Sequence, residues 1–186
     1  MGTHVSAANL ILVERLLVVP VMGIKLRFVF TFLSLLILVI SSSLAQTKTI
    51  EGITRVIDGD TLKIGKNRIR LHGIDAPEAK QLCRDKKLND WLCGQAATKA
   101  LRKKIDNRVV QCLPDKKDRY KRYIAVCSVD GENLNQWLVL NGWAVAYQKY
   151  SKDYISAEAI AKSRKPGIWS GEFILPWKWR RGKRLR

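Results

Sequence analysis

The stretch TIEGITRVIDGDTLKIGKNRIRLHGIDAPE, residues 49–78, decides the reading of this chain. Branched residues recur in short runs broken by turn formers, so Ile50 to Ile57, Thr61 to Ile64 and Arg68 to Ile74 read as three strands. Asp58, Gly59 and Asp60 form the first turn, and Gly65, Lys66 and Asn67 the second. A three-stranded meander is the simplest assembly.

Outward from that meander, Gln95 to Ile105 carries Ala96, Ala97, Ala100, Leu101 and Ile105 at helical spacing, between Gly94 and the stop at Asp106 and Asn107. Two more strands follow, Arg108 to Leu113 and Tyr123 to Val129, closed by Asp130 and Gly131. Asn133 to Asn141 and Asp153 to Lys165 read as helices, halted by Gly142 and by Pro166 with Gly167. Five short strands with a helix between the third and fourth predict an α+β, mainly β fold. The expected architecture is a five-stranded Greek-key barrel of the oligonucleotide-binding (OB-fold) type with about three helices. Fold alone does not decide function.

The 186 residues leave room for one domain. Residues 1–45 read as a targeting segment: Lys25 and Arg27 flank an apolar run from Phe28 to Ile40, and Ser41 to Ala45 form a small-residue exit. The run is shorter than the roughly 20 residues a bilayer-spanning helix needs, which favours a cleaved signal peptide over an N-terminal anchor. Met22 is a candidate true start. The protein is therefore expected to be exported, either secreted or periplasmic, with membrane anchoring as the alternative. Residues 46–176 would form the domain and 177–186 a basic tail.

Lys and Arg number 34 against 16 Asp and Glu, a formal charge of +18; residues 1–45 hold three basic and one acidic side chain, so +16 remains after them. Such a field attracts polyanions, of which nucleic acid is the commonest. The tail, with Lys178, Arg180, Arg181, Lys183, Arg184 and Arg186, reads equally as a solvated end and as a grip on phosphate. Cys83, Cys93, Cys112 and Cys127 all follow the targeting segment, and an even number in an exported chain suggests disulfides. Cys112 and Cys127 fall on the two strands expected to pair, which leaves Cys83 with Cys93. Zinc is disfavoured, since no cysteine pair has knuckle spacing and the only histidines are His4 and His72.

In so basic a chain, two acidic clusters need a reason: Asp58-Gly59-Asp60 and Asp75-Ala76-Pro77-Glu78. Hard divalent ions take oxygen ligands, and Asp60 with Asp75 can supply part of a shell completed by carbonyl, water and phosphate. A helix-loop-helix calcium loop is excluded because Leu62 and Lys63 occupy positions where it wants a ligand and a glycine. Arg70 and Arg122 could grip a phosphate and stabilise charge developing on it.

Together, Val56-Ile57-Asp58-Gly59-Asp60-Thr61, Arg70 through Glu78, Asp118-Arg119-Tyr120-Lys121-Arg122 and Gly167-Ile168-Trp169 resemble the ordered motifs of the thermonuclease, or staphylococcal nuclease-like, family. The resemblance covers Thr49 to Trp169. It implies one calcium ion held by Asp60, Asp75 and the carbonyl of Ala76, with Arg70 and Arg122 as phosphate clamps. It further implies Glu78 as the residue that orients or deprotonates water, in sequence-nonspecific endonuclease cleavage of DNA and RNA leaving 3′-phosphate ends. Arg119, Tyr120 and Tyr147 are candidate substrate contacts, the tyrosines because aromatic stacking tolerates any base. His72 is given no catalytic role, and a monomer is expected. Tyr123 stands where the family often has a small residue, and the segment from Lys80 to Trp91, with its two flanking cysteines, differs from the type protein, which lacks cysteine. The alternative from another class is a nucleic-acid-binding barrel without activity.

Overall fold

The computed structural model describes residues 48–185. Residues 1–45, expected from the sequence to be a targeting segment, lie outside the described residues, as does His4 within them. Strands β1 (Ile50–Val56), β2 (Thr61–Ile64) and β3 (Asn67–Leu71) form the expected meander, with Val56 opposite Leu62 and Thr61 opposite Arg70.

The third strand ends earlier than the branched pattern predicts. Gly73 has φ +72°, and a Cβ built there would lie 2.9 Å from both Ser151 and the Tyr154 ring. The chain therefore turns, and Ile74–Asp75 becomes a separate strand β4. A hairpin absent from the sequence reading follows, β5 (Leu82–Arg84) with β6 (Asp90–Leu92), leading into helix α1 (Cys93–Ile105). Strand β7 (Val109–Lys117) runs past the expected end at Leu113. A register shift between Pro114 and Lys116 accommodates the proline, which cannot donate to the ladder. Strand β8 (Tyr123–Val129) and the short β9 (Glu132–Asn133) precede helix α2 (Leu134–Leu140), whose first turn is capped by the Asn133 side chain accepting from Gln136 N at 3.0 Å. After β10 (Val145–Ala146), which pairs with β4, come helix α3 (Ile155–Arg164), a 3-10 turn (Gly167–Ser170) and one more short helix, α4 (Pro176–Trp179).

β1 pairs antiparallel with β2 and β7, β7 with β8, and β8 returns parallel to β3, setting Arg70 beside Ile124. The five strands thus close in the order β1-β2-β3-β8-β7, the predicted OB-type barrel. Inward residues Leu62, Ile69, Leu71, Val110 and Val129 meet Leu101 and Ile105 of α1 and Leu134 and Leu138 of α2. Cys112 and Cys127 face each other across β7 and β8 and form a disulfide inside this core.

A second, smaller core surrounds the Cys83–Cys93 disulfide. Val145 and Ile168 are buried in it, and Trp91, Trp169, Phe173, Leu175 and Trp177 pack against it. The C-terminal segment is laced to the β5–β6 hairpin by reciprocal backbone bonds, Arg84 N to Glu172 O at 2.8 Å and Glu172 N to Arg84 O at 2.9 Å. Among the described residues, no helix is long and apolar enough to cross a membrane.

Candidate active site

Pleat alternation decides where Arg70 points. Ile69 and Leu71 face the core, so Arg70 between them leaves it. Its fork reaches two carboxylates at once: Nη1 lies 2.6 Å from Asp60 Oδ1, and Nη2 lies 2.7 Å from Asp75 Oδ1. Asp60 ends the β1–β2 turn and Asp75 lies on β4, so a single guanidinium ties two segments that are 15 residues apart. Asp58 shapes the turn, its Oδ1 accepting from the Asp60 amide at 3.1 Å.

Asp60 and Asp75 are both buried. Asp60 also accepts from the Ala76 amide on Oδ2 at 2.9 Å. Burial, aided by the nearby charges of Asp58 and Asp75, raises the Asp60 pKa from 3.8 to about 7 against the opposing pull of Arg70 and the Ala76 amide. The donor set suits a hard cation, whose charge would offset this desolvation cost. Among the described residues no group of three or more His, Cys, Asp or Glu side chains is placed to hold a metal. A cation at Asp60 and Asp75 would therefore complete its shell with carbonyl, water and phosphate oxygens.

Glu78 is half-exposed beside this pair. Its amide donates to Gln81 Oε1 at 3.2 Å, its carbonyl accepts from Gln81 N at 2.7 Å, and Gln81 Nε2 donates to Ile174 O at 2.5 Å. Helix α1 begins against the same backbone: a Cβ on Gly94 would stand 1.8 Å from Glu78 O. The side-chain partner of Glu78 is Arg180, which the sequence reading placed among the tail's basic residues. Arg180 Nη1 lies 2.6 Å from Glu78 Oε1 and 3.0 Å from Asp75 Oδ1, while Nη2 lies 2.8 Å from Asp75 Oδ2. Partial burial opposes the charge on Arg180, but the hydrogen bonds and charges of Asp75 and Glu78 outweigh it and raise its pKa. The one sequence signal for this docking was the apolar spacing of Leu175, Trp177 and Trp179, which a solvated tail does not need.

Arg122 belongs to a different group. Its Nε and Nη2 each lie 2.8 Å from Asp118 Oδ2, and Asp118 Oδ1 accepts from the amides of Tyr120 at 2.9 Å and Arg122 at 3.0 Å. The Arg119 and Arg122 guanidinium carbons sit 4.8 and 5.5 Å from the Tyr120 ring centroid. The hydrogen bonds of Arg122 thus go to Asp118 and not to the Asp60, Asp75 and Glu78 carboxylates. Tyr147 stacks on Trp177, ring centroids 5.0 Å apart and planes within 1°, with Tyr150 edge-on at 4.8 Å. Beside it opens a cavity of about 460 Å³, lined also by Lys149, Lys162 and Arg181. His72 serves through its backbone, its carbonyl accepting from the buried Asn135 Nδ2 at 2.9 Å.

Residues 68–171 match the family described as staphylococcal nuclease homologue. The chain belongs to the staphylococcal nuclease family. The family match includes Arg70, Asp75, Glu78 and Arg122, with Asp60 upstream of it and Arg180 downstream. The chain is 36% identical over 138 residues to the succinoglycan biosynthesis protein ExoI of Rhizobium meliloti (strain 1021), covering 73% of this chain and 72% of that one. It is 34% identical over 139 residues to an uncharacterized endonuclease of Escherichia coli O157:H7, with 70% and 84% covered. With an uncharacterized endonuclease of Haemophilus influenzae it shares 33% identity over 159 residues, with 81% and 84% covered. Membership in this nuclease family makes nucleic acid the substrate class and phosphodiester hydrolysis the chemistry.

Proposed function

We propose that the chain is an exported, calcium-dependent endonuclease that cuts DNA and RNA with little sequence preference and leaves 3′-phosphate ends. The observation that carries this is the convergence of Asp60, Asp75 and Glu78 around Arg70 and Arg180 at one end of the barrel. Asp60, Asp75 and the Ala76 carbonyl would hold the cation. When bound, it supplies Lewis acidity at the phosphate and neutralises developing charge.

The chain's own residues do the rest. Glu78 orients a water and accepts its proton as the water oxygen joins phosphorus; the bond from phosphorus to the 5′-oxygen breaks, and that oxygen takes a proton from solvent and leaves as a hydroxyl. Arg70, already at the two carboxylates, donates to the phosphate oxygens that gain charge. Arg122 serves the same phosphate by exchanging its Asp118 partner for substrate. Tyr120, exposed and flanked by Arg119, offers a face for a base. Export is supported by two disulfides among the described residues and by the apolar run ahead of them. The endonuclease names of the relatives from Escherichia coli and Haemophilus influenzae support the reaction class.

Digestion of single-stranded DNA and RNA by the purified protein, with calcium, with magnesium and with a chelator, tests the proposal. Cleavage with calcium alone, ending in 3′-phosphate, is expected. Retarded mobility without cleavage under every condition would replace it with a binding module.

A further inference from the structure

Among the described residues, Arg180 of the tail is the one side chain that touches both Asp75 and Glu78, and it reaches them across sequence separations of 105 and 102 residues. Its placement is built. Pro176 is buried, Trp177 lies flat on Tyr147, Leu175 packs on the Cys83–Cys93 core, and the Ile174 carbonyl takes the Gln81 amide beside Glu78. A solvated tail would show none of these contacts.

Counting acceptor sites shows what the contact leaves available. A carboxylate offers about four lone-pair directions. Asp75 gives one to Arg70 and two to Arg180, which leaves one on Oδ2 for a further ligand. Glu78 gives Oε1 to Arg180, which leaves Oε2 for water. Arg180 therefore fixes both groups without exhausting either. An unpaired Glu78, half-exposed on a loop, would instead sample several rotamers.

We propose that Arg180 is a positioning residue for phosphodiester hydrolysis, holding the Glu78 carboxylate against Asp75 so that one oxygen faces the water it activates. This rests on the reading of Glu78 as the residue that orients or deprotonates that water. The strap from Ile174 to Arg180 is accordingly part of the active site, and the barrel alone is an incomplete enzyme.

The test is a double-mutant cycle on the full chain, with kcat and KM on single-stranded DNA for Arg180→Gln, Glu78→Gln and the pair, and with Arg180→Lys and Lys183→Gln as companions. Arg180→Gln should lower kcat on the order of 10- to 100-fold with little change in KM, in keeping with losses seen on removing an orienting partner. Arg180→Lys should recover part of the rate, and Lys183→Gln, which removes a charge from the same segment, should keep it. On the Glu78→Gln background, Arg180→Gln should add little, because the two act as one unit. Losses that multiply would overturn the proposal, as would a faster Arg180→Gln enzyme, which would make the strap a cap. A wild-type rate for Glu78→Gln would instead remove Glu78 from the reaction and bring down the reading on which this one rests. Independently of activity, the Glu78 carboxylate carbon resonance in calcium-free protein should move in Arg180→Gln and stay in place in Lys183→Gln; an unmoved resonance in both overturns the pairing.

Discussion

The described residues form two hydrophobic cores, each with its own disulfide, and they serve the site differently. In the barrel core, Cys112 and Cys127 lie on paired strands, and the surrounding Leu, Ile and Val residues come from every strand of a closed sheet. That core fixes Arg70 through β-ladder register with β2 and β8 and Asp60 on the turn just before β2, while Asp75 lies on β4, which pairs with β10 beside the barrel. In the smaller core, Cys83 and Cys93 join a hairpin to a helix start, and the packing comes from aromatic residues of the C-terminal strap. That core delivers Arg180 to Glu78. The Arg70 half of the site is therefore held by many cooperative contacts, while the Glu78 half hangs on a few long-range ones.

The largest expected effect lies on the barrel side. Arg70→Gln removes the fork that joins Asp60 to Asp75, and kcat/KM on single-stranded DNA should fall on the order of a hundred- to a thousandfold, about 3 to 4 kcal/mol. A fall of less than about tenfold would show that the strap side carries the site.

Next come the two disulfides. Replacing Cys112 and Cys127 by Ala frees a separation of 15 residues. It should cost about 3 kcal/mol of unfolding free energy while the folded fraction cuts at a near-normal rate. Replacing Cys83 and Cys93 by Ala should do the reverse, leaving the main unfolding transition close to wild type and lowering kcat on the order of tenfold. Denaturation curves with kinetics on the same samples decide it, and equal effects of the two pairs would show that the two cores do not differ in this way.

A smaller effect concerns pH. Folded Asp60 titrates near 7 against 3.8 for the free side chain, so between about pH 4 and about pH 7 the folded state keeps a proton that the unfolded state releases. Stability of the metal-free protein relative to Asp60→Asn should therefore fall as pH rises through that window, by at most about 1.4 kcal/mol per pH unit. Urea unfolding of both proteins in chelator measures it; a relative stability that climbs with pH would reverse the sign. The smallest effect is Tyr147→Ala. It removes the ring on which Trp177 of the strap lies, so it should raise KM by the equivalent of about 1 kcal/mol at most and lower kcat by less than Arg180→Gln does.

The same contrast governs what the sequence discloses. Barrel strands such as β8, with Ala125, Cys127 and Val129 buried in alternation, announce themselves because neighbours in sequence share one environment. Where the reading overran, at Ile74, the cause was one glycine whose conformation interrupts an otherwise continuous branched run. The convergence of Asp60, Arg70, Asp75 and Glu78 was legible through ordered motifs lying close together in the chain. The strap was not, since Leu175 and Trp177 acquire meaning only from Trp91 and the Cys83–Cys93 bridge, far away in sequence. Arg180 looked like its basic neighbours for the same reason. Arg122 was identified from its motif, but its engagement with Asp118 follows from a tight turn that charge pattern alone does not reveal.

The contact between Arg180 and Glu78 is carried by a strap that contributes no strand to the barrel and lies just beyond a four-residue helix. A protease that cuts after basic residues meets exposed Lys178, Arg180 and Arg181 on this strap and can sever it without opening a single barrel strand. Ageing of the protein in a protease-rich medium would then show as intact, folded material of slightly lower mass with a fading rate, so that a mass spectrum would report the remaining activity better than a melting curve.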